Sequence, residues 1–323
     1  MFKVNYTGEL EKKPITEAFK DTLVNMICTD PKVVFLDADL MLASGVLQAS
    51  KEYPDRILNC GIAESNMIGV AAGMSAVGMK PYTHSFAAFT SRRVFDQIFI
   101  SLAYAKKSAR IIGSDPGIRQ EFNGGTHMVF EDIAMMRAIP NACIFDVADS
   151  VMFTFLIRDT KDLEGVYYFR TPESSKITSV YAEGSKFTIG KGNVLREGTD
   201  ATIIACGLMV SVAIEAAKLL ELESISVRVV DMFTIKPIDE ELVIDCAKKT
   251  GAIVTAENHS VYGGLGSAVS EVLSEQYPAP MLRVGVKDEF GEVGPESYLR
   301  ERFGFTPQSL VDNVKKVITL KSK

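Results

Sequence analysis

Short apolar runs and segments with helical spacing alternate along the first half of the chain. The apolar runs are rich in β-branched and aromatic residues and too short for helices, so they predict strands. The predicted strands are 33–36, 56–59, 80–85, 109–114, 142–147 and 166–170. The predicted helices are 15–28, 44–53, 64–77, 91–106, 131–138 and 150–158. Such alternation is typical of a parallel sheet covered by helices on both faces.

A change in composition divides the chain. Residues 171–192 carry proline, serine, glycine and isolated charges without sustained periodicity, and we interpret 176–190 as a linker. A second alternation follows, with predicted strands at 201–206, 225–232, 251–256 and 281–286 and predicted helices at 210–220, 239–248, 264–275 and 307–320. The predicted fold class is therefore α/β, with one domain over 1–175 and another over 191–323. Each domain is expected to hold a mainly parallel, doubly wound sheet.

Length, charge and cysteine content exclude several classes of protein. The 323 residues allow two domains, and the 47% apolar and 24% charged content is average for a globular protein. A net charge of −6 with dispersed lysine and arginine gives no footprint for nucleic acid. No apolar run reaches the roughly 18 residues that predict a membrane span. The five scattered cysteines indicate free thiols in a reducing compartment, so we expect a soluble, cytoplasmic protein.

Residues that follow the predicted strands are the candidates for ligand binding, because parallel sheets bind ligands beyond the carboxyl ends of their strands. Glu64 is the clearest candidate, since it follows a strand and opens a helix of small apolar residues. Considered alone, it is equally explained as a carboxylate that complements the helix dipole. Gly69 and Gly73 weaken that helix unless another group must approach it closely, which favours a functional site.

Aromatic residues and a histidine lie after other predicted strands. Phe86 and Phe89 are three positions apart, so a turn or short helix would place both rings on one face. Two core aromatic residues would show the same spacing. His127 follows a Gly-Gly-Thr stretch in an irregular loop, and such loops more often carry function than packing.

Taken in order, several short motifs resemble those of the transketolase family over most of the chain, roughly 33–317. In the first half they are residues 62–67 (Ile-Ala-Glu-Ser-Asn-Met), 85–89 (Ser-Phe-Ala-Ala-Phe), 95–98 (Phe-Asp-Gln-Ile) and 169–171 (Phe-Arg-Thr). In the second half they are residues 231–239 (Asp-Met-Phe-Thr-Ile-Lys-Pro-Ile-Asp) and 255–259 (Thr-Ala-Glu-Asn-His). The resemblance implies a pyrimidine-binding domain followed by the family's C-terminal domain.

The resemblance further implies a thiamine-diphosphate-dependent transferase of pentose phosphate metabolism, which moves a two-carbon ketol unit between a ketose and an aldose. The implied catalytic residues are Glu64, which would hydrogen-bond the aminopyrimidine ring, and His127, which would face the substrate. The implied cofactor-binding residues are Asp39, Leu40, Ile62, Glu64, Phe86, Phe89 and Arg92. One residue is inserted around Arg92 and Arg93 relative to the family, and we assign the nearby polar contact to Arg92.

The family's phosphate-binding pattern is only partly kept. By resemblance, Arg170 matches a phosphate-binding arginine, whereas Asp115 stands where a histidine is usual and Asn123 stands in place of an aspartate. A carboxylate repels a nearby phosphate, so an altered acceptor sugar is expected. The implied substrate-binding residues are Ser44, His84, Asp115, Asn123 and Arg170.

The family's diphosphate-binding motif is missing from this sequence. The family binds diphosphate and a metal ion through a Gly-Asp-Gly, which does not occur here. The resemblance therefore implies an N-terminal partner subunit that carries the diphosphate site with Mg²⁺ or Ca²⁺, an α2β2 heterotetramer, and no metal site on this chain. The predicted helix 15–28 before the first strand favours a naturally separate subunit.

Three other interpretations remain open. Subunits of the β type from 2-oxoacid dehydrogenases and deoxyxylulose-phosphate synthases share this two-domain half, although the first group usually lacks the Phe-Ala-Ala-Phe run and the second normally forms one long chain. A non-catalytic α/β binding protein is the alternative from another class. The first strand is not followed by a GxGxxG motif, so a dinucleotide site has little support.

Overall fold

Two mixed sheets with helices packed on their faces form the protein, whose structure is a computed structural model that describes residues 1–173 and 177–321. In chain order the elements of the first half are α1 (Ile15–Thr29), β1 (Val33–Asp37), α2 (Leu47–Glu52), β2 (Ile57–Asn59), α3 (Glu64–Ala76), β3 (Lys80–Phe86), α4 (Ala87–Thr90), α5 (Phe95–Gln97), β4 (Ala109–Ser114), α6 (Asp132–Arg137), β5 (Cys143–Asp146), α7 (Ser150–Asp159) and β6 (Val166–Thr171). Those of the second half are β7 (Asn193–Arg196), β8 (Ala201–Ala205), α8 (Met209–Leu222), β9 (Val227–Asp231), β10 (Thr234–Lys236), α9 (Glu240–Thr250), β11 (Ile253–Ser260), α10 (Leu265–Gln276), β12 (Met281–Val286), α11 (Glu296–Phe303) and α12 (Pro307–Leu320).

The first sheet has the strand order β10-β5-β6-β4-β3-β1-β2 and is parallel except at β10. Its central strands are buried along their whole length, as their continuous apolar runs predict. The register places Asp37 beside His84 and Phe86 beside Ser114, so the carboxyl ends of β1, β3 and β4 lie at one edge. That edge is where a parallel sheet binds ligands.

The second sheet has the order β12-β11-β8-β9-β7 and is parallel except at β7. The α/β fold class predicted from the pattern is therefore confirmed. The short strands β7 and β10 were not predicted. Both are antiparallel edge strands of three or four residues, which is too short for a periodic signal.

The two sheets are physically joined. β10 follows the second-sheet strand β9, yet it pairs with β5 and so extends the first sheet. The ammonium group of Lys236, at the end of β10, donates hydrogen bonds to the carbonyl oxygens of Arg137 (2.8 Å) and Ile139 (2.7 Å). A strand exchanged in this way holds the two halves in fixed positions.

The segment that we interpreted as a linker is packed rather than loose. Tyr181 is buried, and its backbone N–H donates to the Asp149 carboxylate at 2.7 Å. Its ring meets that of Phe187 edge-on, with centroids 4.8 Å apart, and Phe187 in turn contacts Phe233 of the second half. The predicted boundary at 175/176 lies outside the described residues, as do 322 and 323.

The predicted helix 91–106 is wrong in part. Residues 91–94 form a turn, α5 is a single short turn, and Ile98–Tyr104 continue as a π-helix. The π-helix buries Ile98 and Leu102, which are four apart and therefore mimic α-helical spacing in the sequence. Within the described residues, no helix is long and apolar enough to cross a membrane.

Candidate active site

Glu64 stands at the start of α3 with its side chain only 3% exposed. Both of its carboxylate oxygens accept hydrogen bonds from the same nitrogen, Nη1 of Arg93, at 2.9 Å. The helix terminus favours a negative charge at this position, and the guanidinium compensates a carboxylate that would otherwise be buried unpaired. A buried acid at the carboxyl edge of the sheet is the first component of the site.

Three rings form an aromatic cluster beside it. Phe86 ends β3, Phe89 belongs to α4, and their ring centroids lie 6.2 Å apart. The imidazole of His127 meets Phe89 at 5.0 Å and Phe86 at 5.9 Å, edge-on in both cases. The guanidinium carbon of Arg93 lies 4.0 Å from the centroid of the Phe89 ring, so Arg93 joins the acid to the aromatic cluster.

A glycine in β4 allows α4 to approach the sheet. A Cβ atom at Gly113 would lie 2.6 Å from the hydroxyl of Tyr168, 2.8 Å from that of Thr90 and 3.0 Å from the Cα of Ala87. No side chain fits there without movement, so α4 rests directly on the strand. This packing sets the positions of the two phenylalanine rings.

The loop that carries His127 is held by the second half of the chain. The amide of Asn258 accepts from the N–H of Ile118 at 3.1 Å and donates to the carbonyl of Pro116 at 2.9 Å. A Cβ at Gly125 would meet the carbonyl oxygen of Gly291 at 2.6 Å.

His127 bonds Thr126 Oγ1 through Nδ1 at 2.9 Å, while Nε2 has no hydrogen-bond partner among the described residues.

A cleft of about 370 Å³ opens next to Phe86. Its lining includes Asp115, Asn123 and Glu173, and it also includes Glu296 from α11. Asp115 accepts a hydrogen bond from the backbone N–H of Glu173 at 2.8 Å. Burial and the nearby Glu173 carboxylate raise the pKa of Asp115 to about 7. The cleft is therefore acidic, and the substrate contacts of Asp115 and Asn123, which both line it, stay predictions.

The phosphate contact predicted for Arg170 stays a prediction, and in this structure the side chain is engaged by other groups. This side chain is fully buried, with Nε 2.7 Å from Asp132 and Nη1 2.8 Å from Asp146. The third nitrogen donates to the carbonyl of Asn258 at 3.0 Å. Burial alone would lower the pKa of Arg170, but the two aspartates raise it well above its usual value. Arg170 ties the two halves together, and Glu173, three positions later, faces the cleft instead.

The substrate contacts predicted for His84 and Ser44 also stay predictions, and both side chains are buried. His84 lies between two carboxylates, with Nδ1 2.7 Å from Asp37 and Nε2 2.6 Å from Glu173. Burial by itself would lower the pKa of His84, but these carboxylates raise it to about 10. Ser44 Oγ donates to Asp37 at 3.4 Å. The two residues position Asp37 and Glu173.

The cofactor contact assigned to Arg92 also stays a prediction. The Nε of Arg92 lies 2.7 Å from Glu131, and Nη2 donates to the carbonyl of Met128 at 3.4 Å, so the side chain points away from Glu64. The neighbouring Arg93, and not Arg92, contacts Glu64 and Phe89. Two adjacent arginines follow the Phe-Ala-Ala-Phe run, and the sequence pattern alone does not distinguish which of them faces Glu64.

The other predicted cofactor contacts lie on loops at the same edge. Asp39 is exposed after β1, has a positive φ of 66°, and accepts a hydrogen bond from Asn59 at 2.9 Å. Leu40 follows it and donates its N–H to the buried Asp37. Ile62 is 77% exposed after β2. Their roles stay predictions.

The sequence matches two families in succession. Residues 11–176 match the transketolase pyrimidine-binding domain, and residues 190–310 match the transketolase C-terminal domain. A solved structure described as a split-gene transketolase, an inactive β4 tetramer, superposes with a TM-score of 0.87 at 42% identity, over 95% of this chain and 99% of that one.

Curated relatives agree. The 6-deoxy-6-sulfo-D-fructose transketolase subunit SqwH of a Clostridium species is 46% identical over 94% of both chains. One of the apulose-4-phosphate transketolase subunits of Phocaeicola vulgatus is 35% identical over 84% of this chain and 87% of its own length. Transketolase of Rattus norvegicus is 32% identical over 96% of this chain, which spans only half of that enzyme. With these matches, the buried Glu64 and the aromatic cluster, the chain belongs to the transketolase family, as a transferase subunit with the pyrimidine-binding and C-terminal domains.

Proposed function

We propose that this chain binds the aminopyrimidine end of thiamine diphosphate and, joined to a subunit with the diphosphate site, transfers a two-carbon ketol unit from a ketose to an aldose. The observation that carries the proposal is the juxtaposition of the buried Glu64 with Phe86, Phe89 and His127. We also retain the cytoplasmic location, which the free cysteines support.

The residues present fit the pyrimidine end of the cofactor. Glu64 is a buried acid whose only hydrogen-bond partner among the described residues is the half-exposed side chain of Arg93. If that arginine moves into solvent, the carboxylate oxygens of Glu64 can bind a ligand. Phe89 offers a flat aromatic face beside that carboxylate. A flat heteroaromatic ring with a nitrogen that shares a proton satisfies both groups.

The chain's own contributions to the reaction follow from these contacts. When bound, thiamine diphosphate supplies the nucleophilic carbon for ketol transfer. Glu64 holds the proton shared with the pyrimidine nitrogen at its carboxylate, and Phe86 and Phe89 bind and orient the ring. His127 bonds Thr126 through Nδ1, which leaves Nε2 to hold a proton or pass it to a sugar oxygen.

Exposed apolar residues at the carboxyl edge support a partner subunit. Leu42, Ile62 and Phe122 follow β1, β2 and β4, and they are 81%, 77% and 70% exposed. Apolar side chains gathered around a ligand site are typical of a surface that another subunit covers. We propose that the N-terminal subunit covers this edge, supplies the diphosphate site with Mg²⁺ or Ca²⁺, and forms an α2β2 assembly.

The substrate class follows from the acidic cleft. Glu173, and Asp115 when it is ionised, would repel an anionic end group, and Arg119 in the same cleft is already paired with Glu296 at 2.8 Å. The relatives are named for a sulfo-fructose and for apulose 4-phosphate, so split subunits of this family differ in their sugars. We propose an acceptor sugar without a phosphate at the Asp115 position.

The test is to express the chain together with a diphosphate-binding subunit of the family and to assay ketol transfer. The donors would be a panel of ketoses, and the acceptors would be aldoses with and without phosphate. Transfer by the complex, but by neither subunit alone, is the expected result. Turnover by the pure chain, or a complex that binds thiamine diphosphate without any ketol transfer, would contradict the proposal.

A further inference from the structure

Arg93 occupies both binding surfaces that the pyrimidine ring needs. Its guanidinium lies 4.0 Å above the centre of the Phe89 ring, and its Nη1 bonds both oxygens of Glu64 at 2.9 Å. The imidazole of His127 contacts the same ring, with the two centroids 5.0 Å apart and the ring planes at 70°. One flat group at a time can therefore use the carboxylate and the aromatic face.

A guanidinium and an aminopyrimidine are chemically alike at such a site. Both are planar and both stack on an aromatic ring. The guanidinium donates N–H groups to a carboxylate in its own plane, and the ring nitrogen of an aminopyrimidine does so through the proton that it shares with the carboxyl group. The arginine also carries the charge that a buried carboxylate requires when no ligand is present. Arg93 thus satisfies the carboxylate and the aromatic face in the way that the cofactor would satisfy them.

The side chain is free to leave while its backbone stays in place. It is 46% exposed, whereas Glu64 is 3% exposed, so the arginine can turn into solvent without opening the core. The turn that carries it is anchored on both sides. Ser91 donates from its hydroxyl to the carbonyl of Ala87 at 2.5 Å, and Val94 is completely buried.

We propose that Arg93 is a displaceable placeholder for the aminopyrimidine ring. In the subunit without cofactor it closes the pyrimidine site, and cofactor binding moves it off Glu64 and Phe89. The inference rests on the proposed function, because it assumes that the pyrimidine binds to Glu64. Its consequence is that isolated pyrimidines bind only weakly to the free chain, since each must first displace the arginine.

Calorimetric titration of the full chain tests this directly. The probe is the free hydroxymethyl aminopyrimidine half of thiamine, a neutral ring that avoids effects of the thiazolium charge. If the placeholder is engaged about nine-tenths of the time, Arg93→Gln should bind the probe about tenfold more tightly than wild type. Arg93→Lys, which keeps the charge but lacks the planar group, should lie between them. Arg196→Gln, which breaks a remote ion pair with Glu221, should match wild type.

A crystal structure of the wild-type complex with thiamine diphosphate provides a second test that needs no variant. We expect Arg93 to be turned away from Glu64. Equal or weaker probe binding by Arg93→Gln, or an Arg93–Glu64 contact that persists beside the bound cofactor, would overturn the inference. Either result could occur in a complex that binds the cofactor and transfers ketol units, so the proposed function would stand. Loss of cofactor binding by the wild-type complex would instead contradict the proposed function.

Discussion

In the proposed site, the carboxyl group of Glu64 shares a proton with a ring nitrogen of the cofactor. Replacement of this carboxyl group by an amide therefore gives a clear prediction. In Glu64→Gln the side chain keeps its size but no longer shares a proton with a ring nitrogen. We expect hydrogen–deuterium exchange at the reactive carbon of bound thiamine diphosphate to slow by orders of magnitude in the reconstituted complex. The free energy of unfolding should change by about 1 kcal/mol or less, because the released Arg93 is half exposed and can be solvated.

A near-normal exchange rate in Glu64→Gln would mean that the carboxylate serves only the start of α3. Glu52→Gln is a suitable control. It changes an exposed glutamate at the end of α2, whose hydrogen-bond partner is the exposed Gln48.

The acidic cleft gives a second prediction at the residue scale. Asp115→His replaces a carboxylate with a group that can donate to a phosphate, so it should improve use of phosphorylated pentoses. The expected gain in kcat/KM, relative to unphosphorylated pentoses, corresponds to about 1–2 kcal/mol for one recovered hydrogen bond to a charged group. The measurement is a kinetic comparison of both acceptors in wild type and variant.

Asp159→His makes the same substitution at an exposed position at the end of α7 and should leave the ratio of the two acceptors unchanged. A wild type that already prefers phosphorylated pentoses, together with no response in Asp115→His, would show that Asp115 does not select the acceptor.

At the residue scale the sequence predicted which side chains come together better than it predicted their orientation. Glu64, Phe86 and Phe89 follow strand ends, and the parallel topology alone brings strand ends to one edge. The turn at 91–94 determines which of the side chains of Arg92 and Arg93 faces Glu64. No local sequence pattern predicts the conformation of this turn. The buried ion pairs of Arg170 could not be predicted either, because the sequence does not show whether a charged residue in a buried strand pairs with buried partners or with a ligand.

At the scale of elements, the contact between β4 and α4 determines the shape of the aromatic cluster. In Gly113→Ala the new methyl group would overlap Tyr168 and Thr90, so we expect about 1–3 kcal/mol of destabilisation and weaker cofactor binding. Urea unfolding of the isolated chain measures the first effect. Gly73→Ala in α3, where no atom lies within 4 Å of the added Cβ, should be neutral or stabilising.

An unchanged unfolding midpoint in Gly113→Ala would show that α4 can move away from the sheet at little cost. The aromatic cluster would then not depend on this close contact.

The buried ion pairs between β1, β3 and the end of β6 predict a pH dependence. The pKa of His84 is raised from 6.5 to about 10 in the folded protein, so its protonation stabilises the fold fully below pH 6.5. This stabilisation is lost as the pH rises towards 10. Thermal unfolding should therefore show a larger fall in Tm between pH 7 and pH 10 for wild type than for His84→Gln. Parallel curves would mean that His84 is not protonated in the folded chain.

Elements with a long or strongly apolar pattern were predicted almost to their ends. Short elements that form only because a neighbouring strand or helix pairs with them were missed. The helix predicted at 307–320 matches α12, which Thr306 caps by accepting from the N–H of Ser309. The strand β10 has three residues and exists because β5 offers an open edge. The helix α11 has few buried residues, so its pattern gave no amphipathic signal.

At the scale of the whole molecule, the chain is expected to self-associate without its partner. Large apolar side chains of this chain are exposed around the site, and a second copy would cover them. Sedimentation velocity at micromolar concentration should show a species larger than the 35.3 kDa monomer. A monomer under these conditions would contradict the expectation, and addition of the diphosphate-binding subunit should change the species observed.

The position of β10 in the first sheet determines at which points this chain tolerates truncation or fusion to another domain. A fragment that ended in the linker would lose β10 and leave the hydrogen-bonding groups of β5 open, which invites pairing with other chains and aggregation. It would also lose the Asn258 amide that fastens the loop before His127. A gene division between these two domains would therefore yield an insoluble product. Fusion of a further domain before Met1, where the chain end is exposed, leaves both sheets intact.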